Sequence, residues 1–189
     1  GICNPTAVSS LNQALSEDRH SMLIKMKICR VGAFAVGKTS LIRRYVHSLF
    51  SEKYHTTVGV KIDKKTVNID EQTRVELIIW DLYGEDDFLT VRMSYLRGAS
   101  GNFFVADGTR GHTLRVALDL QRRAEESVGR IPFIIALNKH DLEGCWEIDA
   151  SEEARLSEIG VPVVKTSAKS GEAVENAFAT LTRMMLEKS

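Results

Sequence analysis

Eight residues, Gly32-Ala33-Phe34-Ala35-Val36-Gly37-Lys38-Thr39, constrain this chain more than any other stretch. They satisfy the spacing G-x-x-x-x-G-K-[ST], and they stand where an apolar run over 26–31 gives way to a helix-like stretch over 41–49. Glycines let the backbone curl without a Cβ clash, so successive N–H groups can point inward at a polyphosphate, and the helix that follows adds its own free N–H groups and dipole. Lys38 would reach the β- and γ-phosphates and Thr39 would offer a hydroxyl to Mg²⁺. The candidate nucleotide contacts here are Ala35, Val36, Gly37, Lys38, Thr39 and Ser40. By average residue frequencies such an octet arises by chance in about one chain in a hundred of this length, and a strand before it and a helix after it make chance rarer still.

A chain of 189 residues fits one domain with a full core. Lys and Arg together number 25 and so do Asp and Glu, so no strong field advertises a nucleic acid as partner. Three cysteines, Cys3, Cys29 and Cys145, are odd in number and lack metal spacing, which favours a reduced intracellular protein, with Cys29 a core residue. No apolar run approaches the ~20 residues a membrane-spanning helix needs. Pro5 stands where a myristoylation pattern requires Ser or Thr, and the last five residues hold no cysteine, so no lipidation signal is visible. A cytoplasmic protein is expected, with peripheral membrane attachment left open.

Residues 1–21 are polar and read as an extension or linker, with the folded domain over 22–189. From residue 22 the chain alternates. Apolar runs at 22–31, 101–107, 131–137 and 161–165 read as buried strands, separated by helical patterns at 38–49, 113–127, 150–158 and 172–186. Such alternation builds a mostly parallel sheet with helices on both faces. Two β-rich stretches between Val58 and Asp81 flank Asp70-Glu71-Gln72, which reads as a hairpin and implies one antiparallel edge strand.

In such folds ligands sit at the carboxyl ends of the strands, where three further motifs lie. The strand over 75–80 ends in Asp81 with Gly84 three residues on; the acid can hold Mg²⁺ through water and the glycine N–H can approach a γ-phosphate. The strand over 131–137 ends in Asn138-Lys139-His140-Asp141. A carboxylate at Asp141 can accept from a ring N–H and an exocyclic amine on one edge of a base, a pair that guanine presents and adenine does not. Asn138 can tie this segment to the phosphate loop, and the Lys139 stem can cover the base. The strand over 161–165 ends in Thr166-Ser167-Ala168-Lys169, where a backbone N–H can meet the guanine carbonyl oxygen. Each of these alone is an ordinary polar turn; all of them in this order after a phosphate loop are not.

With these motifs in place the chain resembles a small GTPase of the Ras superfamily, most like the Rab branch, over 22–186. Tyr95-Leu96-Arg97-Gly98-Ala99 and Thr166-Ser167-Ala168-Lys169 are similar to Rab sequences. The resemblance implies a P-loop NTPase G-domain, an α/β fold with a mostly parallel six-stranded sheet, one antiparallel edge strand and helices on both faces. It implies GTP/GDP and Mg²⁺ as ligands, with Thr39, Thr57 and, through water, Asp81 at the metal. Phe50 and Tyr54 join the nucleotide contacts, as do Thr57, Gly84, Asn138, Lys139, Asp141, Ser167, Ala168 and Lys169. Lys38, Thr57, Gly84 and Glu85 are the implied catalytic set. Effectors would read switch I and switch II, around 51–60 and 82–95, with an exchange factor and a GTPase-activating protein as further partners.

The chain departs from the family pattern in three places, one of them an unusually acidic switch II at Glu85, Asp86 and Asp87. Trp80-Asp81-Leu82-Tyr83-Gly84-Glu85-Asp86 puts Glu85 where relatives carry the glutamine that orients water, and Phe34 fills a position in the phosphate loop that is small in most relatives. Nucleotide binding is untouched by these changes, whereas hydrolysis is expected to be slow. Two readings stay open: a GTP-dependent switch with slow turnover, and a pseudo-GTPase or constitutively liganded scaffold. An ATP-dependent enzyme would have no use for Asn138-Lys139-His140-Asp141.

Overall fold

The computed structural model describes residues 22–46, 56–57, 60–82 and 93–189. Strand β1 (Met22–Gly32) leads into helix α1 (Lys38–Val46), followed by a two-residue strand β2 (Thr56–Thr57) and the hairpin of β3 (Val60–Asn68) and β4 (Thr73–Leu82). Beyond these come β5 (Gly101–Asp107), α2 (His112–Val128), β6 (Phe133–Asn138), α3 (Ala150–Glu158), β7 (Val163–Lys165) and α4 (Val174–Lys188). One sheet takes them in the order β2-β3-β4-β1-β5-β6-β7. Pairing is parallel from β4 through β7, and β3 is antiparallel to β4. This is the expected six-stranded sheet with one antiparallel strand at its side, extended by β2, which pairs antiparallel with β3.

Alternation along each strand sorts side chains to two faces. Met26 and Ile28 of β1, Phe103 and Val105 of β5, and Ile134 and Ala136 of β6 pack beneath α1 and α4. Their neighbours Cys29, Val31, Phe104, Ala106, Ile135 and Leu137 face α2 and α3 on the other side. Strands buried on both faces therefore read as continuous apolar runs. Burial pushes the Cys29 thiol up to about 11, as suits a core cysteine.

Local chemistry sets the boundaries. Asp70 closes the hairpin by accepting from the N–H groups of Gln72 (2.8 Å) and Thr73 (2.7 Å). Asp149 caps α3 by accepting from Glu152 N–H at 2.8 Å, so the helix spans the expected residues. Two strands start later than expected, each just after a proline that has no N–H to donate, Pro132 and Pro162. Helix α4 begins at Val174 rather than at 172 because Gly171 (φ 87°) and Ala173 (φ 53°) hold a left-handed turn before it. Short 3₁₀ turns at Met93–Leu96 and His140–Cys145 were not legible as elements. The expected extension over 1–21 and the end of the first helix beyond Val46 lie outside the described residues.

Three stacked rings lock α1 and α4 onto the sheet. Tyr45 and Phe178 lie 3.8 Å apart and 5° from parallel, and Phe178 meets Phe103 at 4.5 Å. Lys65 of β3 covers the outer face of Tyr45 at 3.5 Å and pairs with Glu175 at 2.7 Å. Phe178→Ala should cost about 3–5 kcal/mol, read as a lower midpoint in urea unfolding; a loss under about 1 kcal/mol would remove the stack from the core.

Candidate functional site

The strand ends of β1, β4, β5, β6 and β7 converge on one edge of the molecule. After Gly32 the chain turns through Ala35 (φ 56°) and Gly37 (φ 93°) before entering α1 at Lys38. Gly32 has no room for a Cβ, which would stand 2.5 Å from the Val105 carbonyl oxygen. A Cβ on Gly37 would overlap the side-chain amide of Asn138. Both glycines thus answer to close approach of neighbouring strands.

Asn138, 1% exposed at the end of β6, is the joint of this edge. Its amide N–H donates to the Val36 carbonyl at 2.9 Å, and its oxygen accepts from the Ala168 N–H at 3.1 Å and the Thr166 hydroxyl at 3.4 Å. The phosphate loop, β6 and the segment after β7 are held by one buried side chain. Of the backbone N–H groups in the segment 166–169, one of which was expected to meet a base, that of Ala168 is turned onto Asn138. Ser167, fully buried, donates its hydroxyl to Asp141 Oδ1 at 2.6 Å and fixes an otherwise exposed carboxylate. Lys169 is exposed, and its carbonyl accepts from Arg44 at 3.2 Å.

Lys38 folds across the loop, with Nζ donating to the Gly32 carbonyl at 2.9 Å and the Ala33 carbonyl at 2.5 Å. Burial pushes its ammonium down to about 8; Arg30 and Arg110 add repulsion, and Asp81 opposes them. Thr39 and Ser40 follow in the first turn of α1. Phe34 is 68% exposed while its carbonyl accepts from Arg110 at 3.0 Å.

Arg30, Asp107, Thr109, Arg110 and Trp146 at this edge had no role in the sequence reading. Arg30 lies in β1 and is ion-paired to Asp81, its cross-strand partner in β4, both fully buried. Asp107, fully buried at the end of β5, takes Lys139 Nζ at 2.6 Å, Arg110 Nε at 3.0 Å and the Thr109 hydroxyl at 2.7 Å. Burial alone would raise the Asp107 carboxyl, but donation from Lys139, Thr109 and Arg110 outweighs it and holds the group below its ordinary value. Trp146 lies against Gly108, where a Cβ would overlap its ring, and meets the His140 ring at 5.2 Å. A charged residue inside an apolar strand was the available signal for Arg30, and an acid at a strand end was the signal for Asp107.

Of the positions expected to bind Mg²⁺, Thr39 opens α1 beside Lys38 and Thr57 lies in β2. Asp81 fits the ion poorly, because Arg30 already compensates its carboxylate. Phe50, Tyr54, Gly84 and Glu85 lie outside the described residues.

A family model described as the Ras family matches residues 27–187. The chain is 32% identical over 164 residues to the Ras-related protein SEC4 of Saccharomyces cerevisiae, covering 86% of this chain and 76% of that one. It is 31% identical over 186 residues to Rab-1C of Dictyostelium discoideum, covering 96% of this chain and 90% of that protein. With Rab-13 of Canis lupus familiaris it shares 31% over 165 residues, 86% of this chain and 81% of that one. The chain belongs to the Ras family of small GTPases, in its Rab branch. Among the described residues no helix is long and apolar enough to cross a membrane.

The Lys38 geometry has a pH signature. Its folded value near 8 lies below the ordinary 10.5, so from about pH 8 upward this group binds more protons in the unfolded chain and contributes stability that rises with pH, a contribution that Cys29, raised from 9.0 to about 11, opposes above about pH 9. Urea midpoints measured from pH 7 to 9, below the range in which Cys29 titrates, should show that rise, and Lys38→Met should flatten it; an unchanged slope in the variant would assign the titration elsewhere.

Proposed function

We propose that the protein is a guanine-nucleotide-dependent switch that exchanges GDP for GTP and hydrolyses GTP slowly. The observation that carries this is the Asn138 joint: the amide that braces the phosphate loop at Val36 also braces the segment in which Ser167 holds the Asp141 carboxylate. Phosphate-binding and base-reading elements are thereby fixed at one spacing, as a bound nucleoside polyphosphate requires. Lys38 would leave the Gly32 and Ala33 carbonyls for the phosphates, whose negative charge favours its ammonium form. Asp141 would take both donors of guanine's edge, and Lys139, anchored on Asp107, would lay its stem over the base. Gly84 and Thr57 would sense the γ-phosphate, ordering 51–60 and 82–95 for effectors to read. Vesicle trafficking on a membrane surface fits the Rab branch, with residues 22–189 as the nucleotide-binding domain.

The exposed Phe34 ring at the loop favours a second reading, a nucleotide-bound scaffold with little turnover, since it stands where an arginine supplied by an activating protein would enter. Glu85 adds to this. A neutral amide can donate to phosphate while accepting from water, whereas an ionised carboxylate only accepts and brings negative charge to an anionic centre.

Displacement of a fluorescent GDP by GTP but not by ATP tests the base assignment, and equal competition by ATP would defeat it. Asp141→Asn should weaken guanine binding by about tenfold or more and shift preference toward xanthine, whose added carbonyl suits an amide donor. In single-turnover assays Glu85→Gln should match or exceed the unaltered protein. A tenfold loss on that change, about 1.4 kcal/mol in barrier, would instead make Glu85 the base that activates water.

A further inference from the structure

Across the sheet at the nucleotide-binding edge runs a row of cross-strand partners: Lys61 in β3, Asp81 in β4 and Arg30 in β1. Asp81 therefore has a cation in register on either side. Arg30 closes an ion pair with it, and neither residue is more than 1% exposed. Two positions along β3, buried Asp63 pairs with Lys61 at 3.5 Å. Two carboxylates and two cations thus balance without any further ion. The row lies on the α1 side of the sheet, since Arg30 alternates in step with Met26 and Ile28, and both Arg30 and Asp81 act electrostatically on Lys38. The acid that stands at the metal in Ras-family expectation is compensated by a side chain of the protein itself.

We propose that Arg30 is a built-in cation at Asp81, so that a bound guanine nucleotide is retained without dependence on Mg²⁺. This rests on the guanine-nucleotide reading above. A divalent ion recruited by Asp81 would have to displace a buried guanidinium or settle beside it, and both alternatives are opposed by desolvation or by like-charge repulsion. Lys38 and the N–H groups of the loop remain to hold the phosphates, and these do not change with the metal concentration.

The test is release of mant-GDP from the purified protein, chased with unlabelled GDP, in millimolar Mg²⁺ and in excess EDTA. The unaltered protein should release it at rates that agree within about threefold in the two conditions, and Arg30→Met should become sensitive to EDTA by about tenfold or more. Release from the unaltered protein that EDTA accelerates by about tenfold or more overturns the inference alone. Failure to retain mant-GDP in either condition overturns the guanine-nucleotide reading and the inference with it. Should Arg30→Met not fold, Mn²⁺ titration of the unaltered GDP complex by electron paramagnetic resonance decides: affinity no greater than that of free GDP for Mn²⁺ is expected, and clearly tighter binding overturns the inference.

Discussion

The edge where β1, β6 and β7 end depends on the hydrogen bonds of one buried amide. Asn138 cannot satisfy its polar atoms with water, so its donor is committed to the Val36 carbonyl and its acceptor to Ala168 and Thr166. Gly37 must lack a Cβ for this amide to come so close. Loss of the side chain would leave a cavity and a buried backbone carbonyl without a partner, at about 1–3 kcal/mol for the unsatisfied group. More is at stake than stability, because the two loops it joins are separated by more than a hundred residues in sequence and have no other hydrogen bond of this kind between them among the described residues.

Charge is buried at this edge repeatedly, and each time with a counter-charge supplied by a neighbouring strand or loop. Arg30 meets Asp81, and Asp107 meets Lys139 and Arg110. Such pairs add little net stability relative to apolar residues of similar volume, yet breaking one costs about 3–5 kcal/mol because a lone charge is left in the interior. They therefore fix geometry. Lys139 is drawn to Asp107 in a left-handed conformation (φ 68°), which sets the direction in which the segment leading to Asp141 leaves the sheet.

How much of this could be read from the sequence differs by residue. Phe103, Ile134 and Ala136 announce themselves, since a strand covered on both faces must be apolar throughout, and Asp149 announces the start of α3 because a cap acts within three residues. The phosphate loop and Asn138 were equally plain, as both are local patterns. Arg30 was not. It sits inside a run whose apolar character made that run legible as a strand, and its partner lies fifty-one residues on, set by the parallel register of β1 and β4. Asp107 was visible as a strand end, but its three donors come from Thr109, Arg110 and Lys139, and only the first two are near it in sequence. Periodicity shows which face a residue takes; it does not show what stands opposite.

Phe34 shows how a departure from family pattern is accommodated by backbone chemistry. Its carbonyl is turned inward to accept from Arg110, whose Nε is held on buried Asp107, so the main chain at this position is fixed from the far side of the loop. With the following residue, Ala35, in the left-handed region, the chain direction through the turn is set and the Phe34 ring is left in solvent rather than over the core. A large side chain here makes little demand on the core, because most of it stands in solvent. The constraint falls on whatever approaches the loop from outside, which must accommodate an aromatic ring before it can reach the loop backbone.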